Sequence, residues 1–240
     1  MTELLYQTDA YRRDFEATVQ AVDIENHAIL LDRTAFYPGG GGQPADEGQL
    51  QHSGFTLPVS RLIKKPEGIW HVLSPDAPLP PVNATLRGEI DWNRRYALMR
   101  THTALHILCG VVFRDYGALV TGGDMEPLHG RMDFEFESLT RDLVSIIEEA
   151  VNREVAASRP VNVRILPREE AFQIPDLIRT KINLLPPGIQ EVRTVEISGL
   201  DLQADGGTHV RNTADVGRIR ITDYKSKGKI NKRIYIELDS

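Results

Sequence analysis

The stretch WNRRYALMRTHTALHILCGVVF, residues 92–113, is where the character of the chain changes. Asp91 before it is a suitable N-cap, and Leu98, Leu105, Leu108 and Val112 recur at helical spacing. The pattern predicts a helix with these four residues on one face. Its two histidines, His102 and His106, stand about one turn apart on a shared face. That spacing suits two metal ligands, and equally a buried pair making ordinary hydrogen bonds. A metalloprotease helix needs a Glu directly after the first histidine. Thr103, Ala104 and Leu105 follow here, so that reading fails.

Upstream of Asp91 the chain reads as β structure. ATVQAVDIENHAILLD (residues 17–32) forms two strands around a polar turn, and VSRLI (59–63), IWHVL (69–73) and ATLRGEID (84–91) supply others. Gly, Pro, Asp and Asn punctuate these runs. No long helical period follows the short YRRDF segment (11–15), and SPDAPLPPVN (74–83) is a loop within the domain. A small barrel is expected.

Downstream, strands and helices do not alternate regularly. RMDFEFE (131–137) alternates with Met132, Phe134 and Phe136 on one side. SLTRDLVSIIEEAVNREVAAS (138–158) is an amphipathic helix capped by Thr140, with Leu143, Ile146, Ile147, Ala150 and Val151 inward and Pro160 barring continuation. VNVRIL, EVRTVEI, GRIRITDY and KRIYIEL read as further strands. The expected class is α+β: a small β-barrel domain over residues 1–89, then an α+β domain over 90–240 with a mostly antiparallel sheet and helices.

The 240 residues carry a formal net charge of −6, so nucleic-acid contact requires a local basic patch. DYKSKGKINKR (223–233) offers one: Lys225, Lys227, Lys229, Lys232 and Arg233 gather around Gly228 between two β-like runs. A solvated turn would look the same. The single cysteine, Cys109, excludes an intrachain disulfide and a cysteine-rich zinc cluster. It sits on the predicted helix, where packing is its expected role. No run of about 18 apolar residues and no apolar leader occur, so a cytoplasmic protein without membrane contact is expected. The GGGGQ run lacks the Gly-Lys-Ser/Thr ending of a nucleotide-binding loop, so no nucleotide cofactor is expected.

DLQADGGTHV, residues 201–210, brings a third histidine, His209, with Asp205 four positions before it. Gly206 and Gly207 permit a tight turn and close backbone approach. Alone, this could be a surface turn leading into a strand. Together with HTALH (102–106), however, it resembles the paired motifs of the alanyl-tRNA editing family, the free-standing AlaX proteins and the editing domain of alanyl-tRNA synthetases. FYPGGGGQPADEG (36–48) is similar to the glycine-rich motif of the longer members, and GRMDFEF (130–136) and SKGKINKRIYI (226–236) look like other family blocks. The likeness runs across nearly the whole chain.

The resemblance implies a trans-acting aminoacyl-tRNA deacylase that removes serine or glycine from alanine tRNA. It implies Zn²⁺ as cofactor, held by His102, His106 and His209. The family cysteine falls at Asp205, a departure that leaves either three histidines and one aspartate or three histidines with Asp205 handling a water; either is a harder, less thiophilic site. Thr208 and Asp205 become the catalytic candidates. Thr103, Thr121 and Thr208 become candidates for reading a serine hydroxyl, a discrimination that needs polar groups left unpaired by the wrong substrate. Gly206 and Gly207 would present backbone N–H groups, and Gly40, Gly41 and Gln43, with Thr34 nearby, would approach the substrate. GALVTGGDMEP (117–127) would line the pocket, or be only a connecting loop. The basic hairpin would meet tRNA phosphates. The metal would activate water or anchor the substrate's α-amino group. Two other classes stay open: a catalytically silent tRNA-binding or regulatory module, and a metal-dependent hydrolase of small molecules, for which the basic hairpin would be dispensable. Oligomeric state is not legible.

Overall fold

Inward and outward positions alternate along the early strands, and the chain closes them into a barrel. The computed structural model describes residues 2–180 and 188–239. A short parallel pair, β1 (Glu3–Leu4) with β4 (Arg33–Thr34), accompanies β2 (Asp14–Asp23), β3 (Ala28–Leu31), β5 (Gly48–His52), β6 (Phe55–Lys65), β7 (Gly68–Leu73) and β8 (Thr85–Ile90). The last six close antiparallel in the order β2-β3-β7-β6-β5-β8. Phe15, Ala17 and Val19 of β2 meet Leu57, Val59 and Leu62 of β6 and Leu86 and Ile90 of β8 in one apolar core. The barrel is thus as expected. Strand β5, GQLQH, is an addition, since its polar composition hides the single inward Leu50. YRRDF is not helical, and its last two residues open β2.

Two compact units divide the chain: Met1–Gly40 with Pro44–Tyr96, and Gly41–Gln43 with Ala97–Ser240. Helix α1 (Trp92–Tyr116) begins where Asp91 accepts the Arg94 N–H at 3.1 Å, the cap that the sequence indicates. It differs from an ordinary amphipathic helix in one respect. Thr101 to Val112 are buried at every position, so α1 is a central element and its histidines lie in the interior.

Strands β9 (Val120–Glu126) and β10 (His129–Glu135) form a hairpin in the antiparallel sheet β14-β15-β10-β9, with β14 (Ile219–Ser226) and β15 (Asn231–Leu238). The segment GALVTGGDMEP is therefore mostly a strand, not a loop. Its glycines, Gly122 and Gly123, depress β propensity, yet they pair in register with Asp133 and Met132. Helix α2 (Arg141–Ala156) is capped by Thr140, which accepts the Leu143 N–H at 3.2 Å. Its buried stripe is Val144, Ile147, Ala150, Val151 and Glu154. Ile146, expected inward, is 53% exposed, because the stripe runs one position away from it. A second sheet, β11 (Val161–Pro167), β12 (Glu191–Ile197) and β13 (Asp201–Ala204), completes the unit, with the one-turn α3 (Arg168–Ala171) beside β11. Among the described residues, no helix is long and apolar enough to cross a membrane.

One barrel residue has a pH consequence. His71 is fully buried, its Nε2 is 2.9 Å from the Thr34 hydroxyl, and burial pushes its imidazole down to about 4. An unfolded chain protonates this group near pH 6.5, whereas the folded one resists to about pH 4. Its contribution is therefore complete above pH 6.5 and lost as pH falls from there through 4. Between pH 7 and 5 the linkage amounts to about 2 kcal/mol. Urea unfolding followed by tryptophan fluorescence should show wild type losing that much more than His71→Gln. Equal losses would refute the assignment.

Candidate metal centre

Two elements bring the histidines together. Helix α1 presents His102 and His106 one turn apart, and β13 runs directly into the turn at Asp205–Thr208 that delivers His209. The three imidazole rings are 4.2, 4.7 and 5.1 Å apart between centroids. Asp205 closes the group, with Oδ1 at 3.5 Å from His102 Nε2 and Oδ2 at 3.0 Å from His209 Nε2. One potential ligand atom from each of these four residues lies within 4.8 Å of the others.

The second nitrogen of each ring is engaged elsewhere. His102 Nδ1 is 2.9 Å from Gln43 Oε1, His209 Nδ1 is 3.2 Å from the Thr103 hydroxyl, and His106 Nδ1 faces Asp201 Oδ2 at 3.3 Å. The last contact is too misaligned to be a hydrogen bond, so His106 Nδ1 is a buried polar atom with no hydrogen-bond partner. A proton on each Nδ1 would turn three Nε2 lone pairs to a metal, with His209 Nε2 giving up the hydrogen bond it makes to Asp205 Oδ2 at 3.0 Å.

Electrostatics favour the neutral ring at two of the three histidines. Burial holds His102 well below the ordinary imidazole range, reinforced by the neighbouring His209 and His106, and burial brings His209 to about 4. Burial also opposes charge on His106, but the carboxylates of Asp201 and Asp205 outweigh it and raise that group. For Asp205 burial works upward, yet the surrounding histidines keep it ionised, well below the usual carboxylate value. Two neutral imidazoles, His106 Nε2 and an ionised carboxylate form a donor set that fits a divalent metal of zinc type.

The glycine-rich segment reaches this cluster through one side chain. Gly39, Gly40, Gly41 and Gly42 all have positive φ, from +59° to +136°, a path closed to most L-residues. The Gly42 carbonyl accepts the Met125 N–H at 3.2 Å, which ties the segment to β9. Gln43 then enters the interior. Its Oε1 receives the Thr208 N–H at 2.9 Å as well as contacting His102, and its Nε2 donates to the Thr208 hydroxyl at 2.8 Å. Gly40 and Gly41 are exposed. Thr34 serves His71 instead of the cluster.

Thr103 and Thr208 are buried beside the histidines, Gly207 is packed against His102, and Gly206 is exposed. Thr121 stands apart: it lies on β9 and donates to Asn231 at 3.0 Å. The basic hairpin is real, but its five charges are not equivalent. Lys232 is 7% exposed and donates to the Gly228 and Lys229 carbonyls, while Arg233 grips Asp133 with two bonds of 2.6 and 2.7 Å. Lys225, Lys227 and Lys229 remain exposed, Lys225 paired with Asp223 at 2.9 Å. Cys109 is buried on α1 and accepts a weak bond from Gln203 at 3.3 Å.

Sequence reasoning passed over Asp201 and Arg193. Arg193, on β12, donates to the Asp205 carbonyl at 2.9 Å and lies 3.8 Å from its carboxylate. Asp201 stands behind His106. The one signal for it was the alternation D-x-Q-x-D at 201, 203 and 205, which puts three polar side chains on one face of a strand.

The barrel-forming residues and the stretch that carries His209 match models of domains found in tRNA synthetases. Residues 2–94 match the family model described as tRNA synthetases class II (A), and residues 192–235 match the threonyl and alanyl tRNA synthetase second additional domain. The chain is 42% identical over 237 residues to the alanyl-tRNA editing protein AlaX-M of Saccharolobus solfataricus, spanning 98% of both. It is 38% identical over 244 residues to that of Methanosarcina acetivorans, spanning 99% of both. The alanine-tRNA ligase of Pyrobaculum neutrophilum is 37% identical over 227 residues, 92% of this chain and 25% of the ligase. This chain belongs to the AlaX-M family of alanyl-tRNA editing proteins.

Proposed function

We propose that this protein hydrolyses, in trans, the ester joining serine or glycine to alanine tRNA. The observation that carries the reading is the buried cluster His102, His106, His209 and Asp205 in a chain of this family. These four residues would hold Zn²⁺. A zinc ion there supplies Lewis acidity toward an ester carbonyl and a positive field for developing negative charge.

The chain's own groups do the rest. Asp205 stays within the donor set in place of the family cysteine, fastened by the Gly207 N–H at 2.7 Å and by Arg193. With Gly207 so engaged, the exposed Gly206 amide, unpaired among the described residues, is the backbone donor that can orient water or a substrate oxygen. Thr208 accepts from Gln43, so its own proton is available to a serine hydroxyl. Thr103 accepts the Val210 N–H at 3.2 Å and is likewise free to donate. Both threonines are buried, so a substrate lacking the hydroxyl leaves a desolvated donor unpaired, which disfavours alanine. Glycine lacks the hydroxyl too, so it would be admitted by its small size alone and less readily than serine. Lys225, Lys227 and Lys229 supply the exposed positive charge for tRNA phosphates.

The test is direct. Purified protein incubated with seryl-tRNA charged on the alanine acceptor should release serine well above the spontaneous rate. Chelation should stop this, and added zinc should restore it. Binding of the charged tRNA without hydrolysis under any divalent metal would leave the silent-module reading instead. Turnover unaffected by chelation would remove the metal from the mechanism.

A further inference from the structure

Behind the three histidines stand three different supports. Gln43 offers His102 a neutral amide oxygen, Thr103 offers His209 a hydroxyl, and Asp201 offers His106 a carboxylate. The Asp201 side chain is completely buried. It is fixed by Gln203 Nε2 at 2.6 Å and by Arg179 Nε at 3.4 Å. Arg179 is itself held: its guanidinium lies 3.8 Å over the Phe113 ring on α1, and its carbonyl takes the Val120 N–H at 3.1 Å. Gln43 and Thr103 are held as well, by Thr208 and by the Val210 N–H, but by neutral groups only. His106 Nδ1, which makes no hydrogen bond among the described residues, faces this carboxylate at 3.3 Å, close enough for a small turn of the ring to complete the bond.

Resting on the reading of the cluster as a metal site, we infer that Asp201, braced by Arg179 and Gln203, is the positioning residue that sets the site's metal affinity through His106. A carboxylate accepting from Nδ1 fixes the ring's tautomer and orientation and makes Nε2 a stronger donor than a neutral partner can. His106 is then the strongest of the three imidazole ligands. Asp201 touches neither substrate nor metal, so its effect travels entirely through that ring.

Competition of the full-length protein against a chromophoric chelator reads this without any tRNA. Asp201→Asn should bind Zn²⁺ about 10–100-fold more weakly than wild type, still at one ion per chain. The visible spectrum of its Co²⁺ form should shift as well. In metal-free protein, the ¹⁵N shifts of His106 should move from Nδ1-protonated in wild type toward a tautomer mixture. Thr103→Val, which removes a neutral support, should cost less affinity than Asp201→Asn. If Asp201→Asn does not fold, Gln203→Leu loosens the same carboxylate and should weaken Zn²⁺ by about 3–10-fold, short of the full loss. Unchanged affinity and Co²⁺ spectrum in the folded variants would overturn the inference. A wild-type chain that binds no divalent metal would overturn it together with the metal site. Absent deacylation with the predicted metal behaviour would sink only the proposed reaction.

Discussion

Gly207→Ala should abolish metal uptake and ester hydrolysis together. A Cβ at this position would overlap both Cε1 and Nδ1 of His102 and fall 2.6 Å from Gln43 Oε1. Gly207 is not among the glycines of positive φ, so space and not backbone strain forbids the methyl group. The ring has nowhere to go: Gln43 holds one side, and the Thr208 N–H fixes Gln43 in turn. Relief would require His102 to leave its rotamer or the 205–209 turn to retreat. Either separates His102 from His209. Overpacking of this kind costs about 1–3 kcal/mol of stability, but the loss in function should be larger, at least about a hundredfold in rate, because small displacements of a reacting centre are that costly. Gly206→Ala is the control, since a methyl group there would meet nothing within 4 Å and metal uptake should be unchanged. Measuring Zn²⁺ affinity and folding for both variants decides the matter. A Gly207→Ala protein that takes up metal normally would show that the close approach is dispensable.

Arg95→Met should produce the largest loss of stability. Arg95 and Asp46 are wholly buried and joined by two bonds, one of them from Nε at 2.8 Å. The same guanidinium donates to the Ala10 carbonyl at 2.9 Å and to the Ala35 carbonyl at 2.7 Å. Removing the cation strands a carboxylate and the Ala35 carbonyl away from water and also frees the half-buried Ala10 carbonyl. Breaking a buried pair from one side costs about 3–5 kcal/mol. Asp46 lies in the glycine-rich block, so this pair ties the exit of that block to the first turn of α1 within one compact unit. A double-mutant cycle with Asp46→Asn separates the charge from the packing: the double variant should be more stable than the two single losses added together. Simple additivity in denaturant unfolding would mean the ion pair has no special weight.

Strands with clear alternation and both main helices were legible because burial on one side writes a period into the sequence. Leu50 alone could not reveal β5, and Gly122 and Gly123 masked β9, since the partner β10 and not local propensity holds that strand. Ile146 misled for a related reason: an apolar residue adjoining a helical stripe looks inward until the neighbouring element is known. In the cluster, His102, His106 and His209 could be paired only through the resemblance of whole motifs. No local pattern joins residues a hundred positions apart. Asp201, Gln43 and Arg193 act through tertiary contacts, and the sequence carries no mark that tells a bracing carboxylate from a solvated one. The hairpin lysines show the converse case, where composition suggested five equivalent charges and packing reserved two for internal bonds.

The path of Gly41–Gln43, which leaves one compact unit, joins the other and returns, bears on the order in which the molecule is made. Every member of the barrel core lies between Leu4 and Ile90, so that core can consolidate while synthesis continues. The Gln43 clasp cannot. Its partner Thr208 is 165 positions away, and closing so long a loop is worthwhile only once α1 and the β13 turn exist to receive it. On the ribosome, Gln43 therefore waits on a finished barrel, and the cluster of His102, His106, Asp205 and His209 cannot assemble until His209 has emerged.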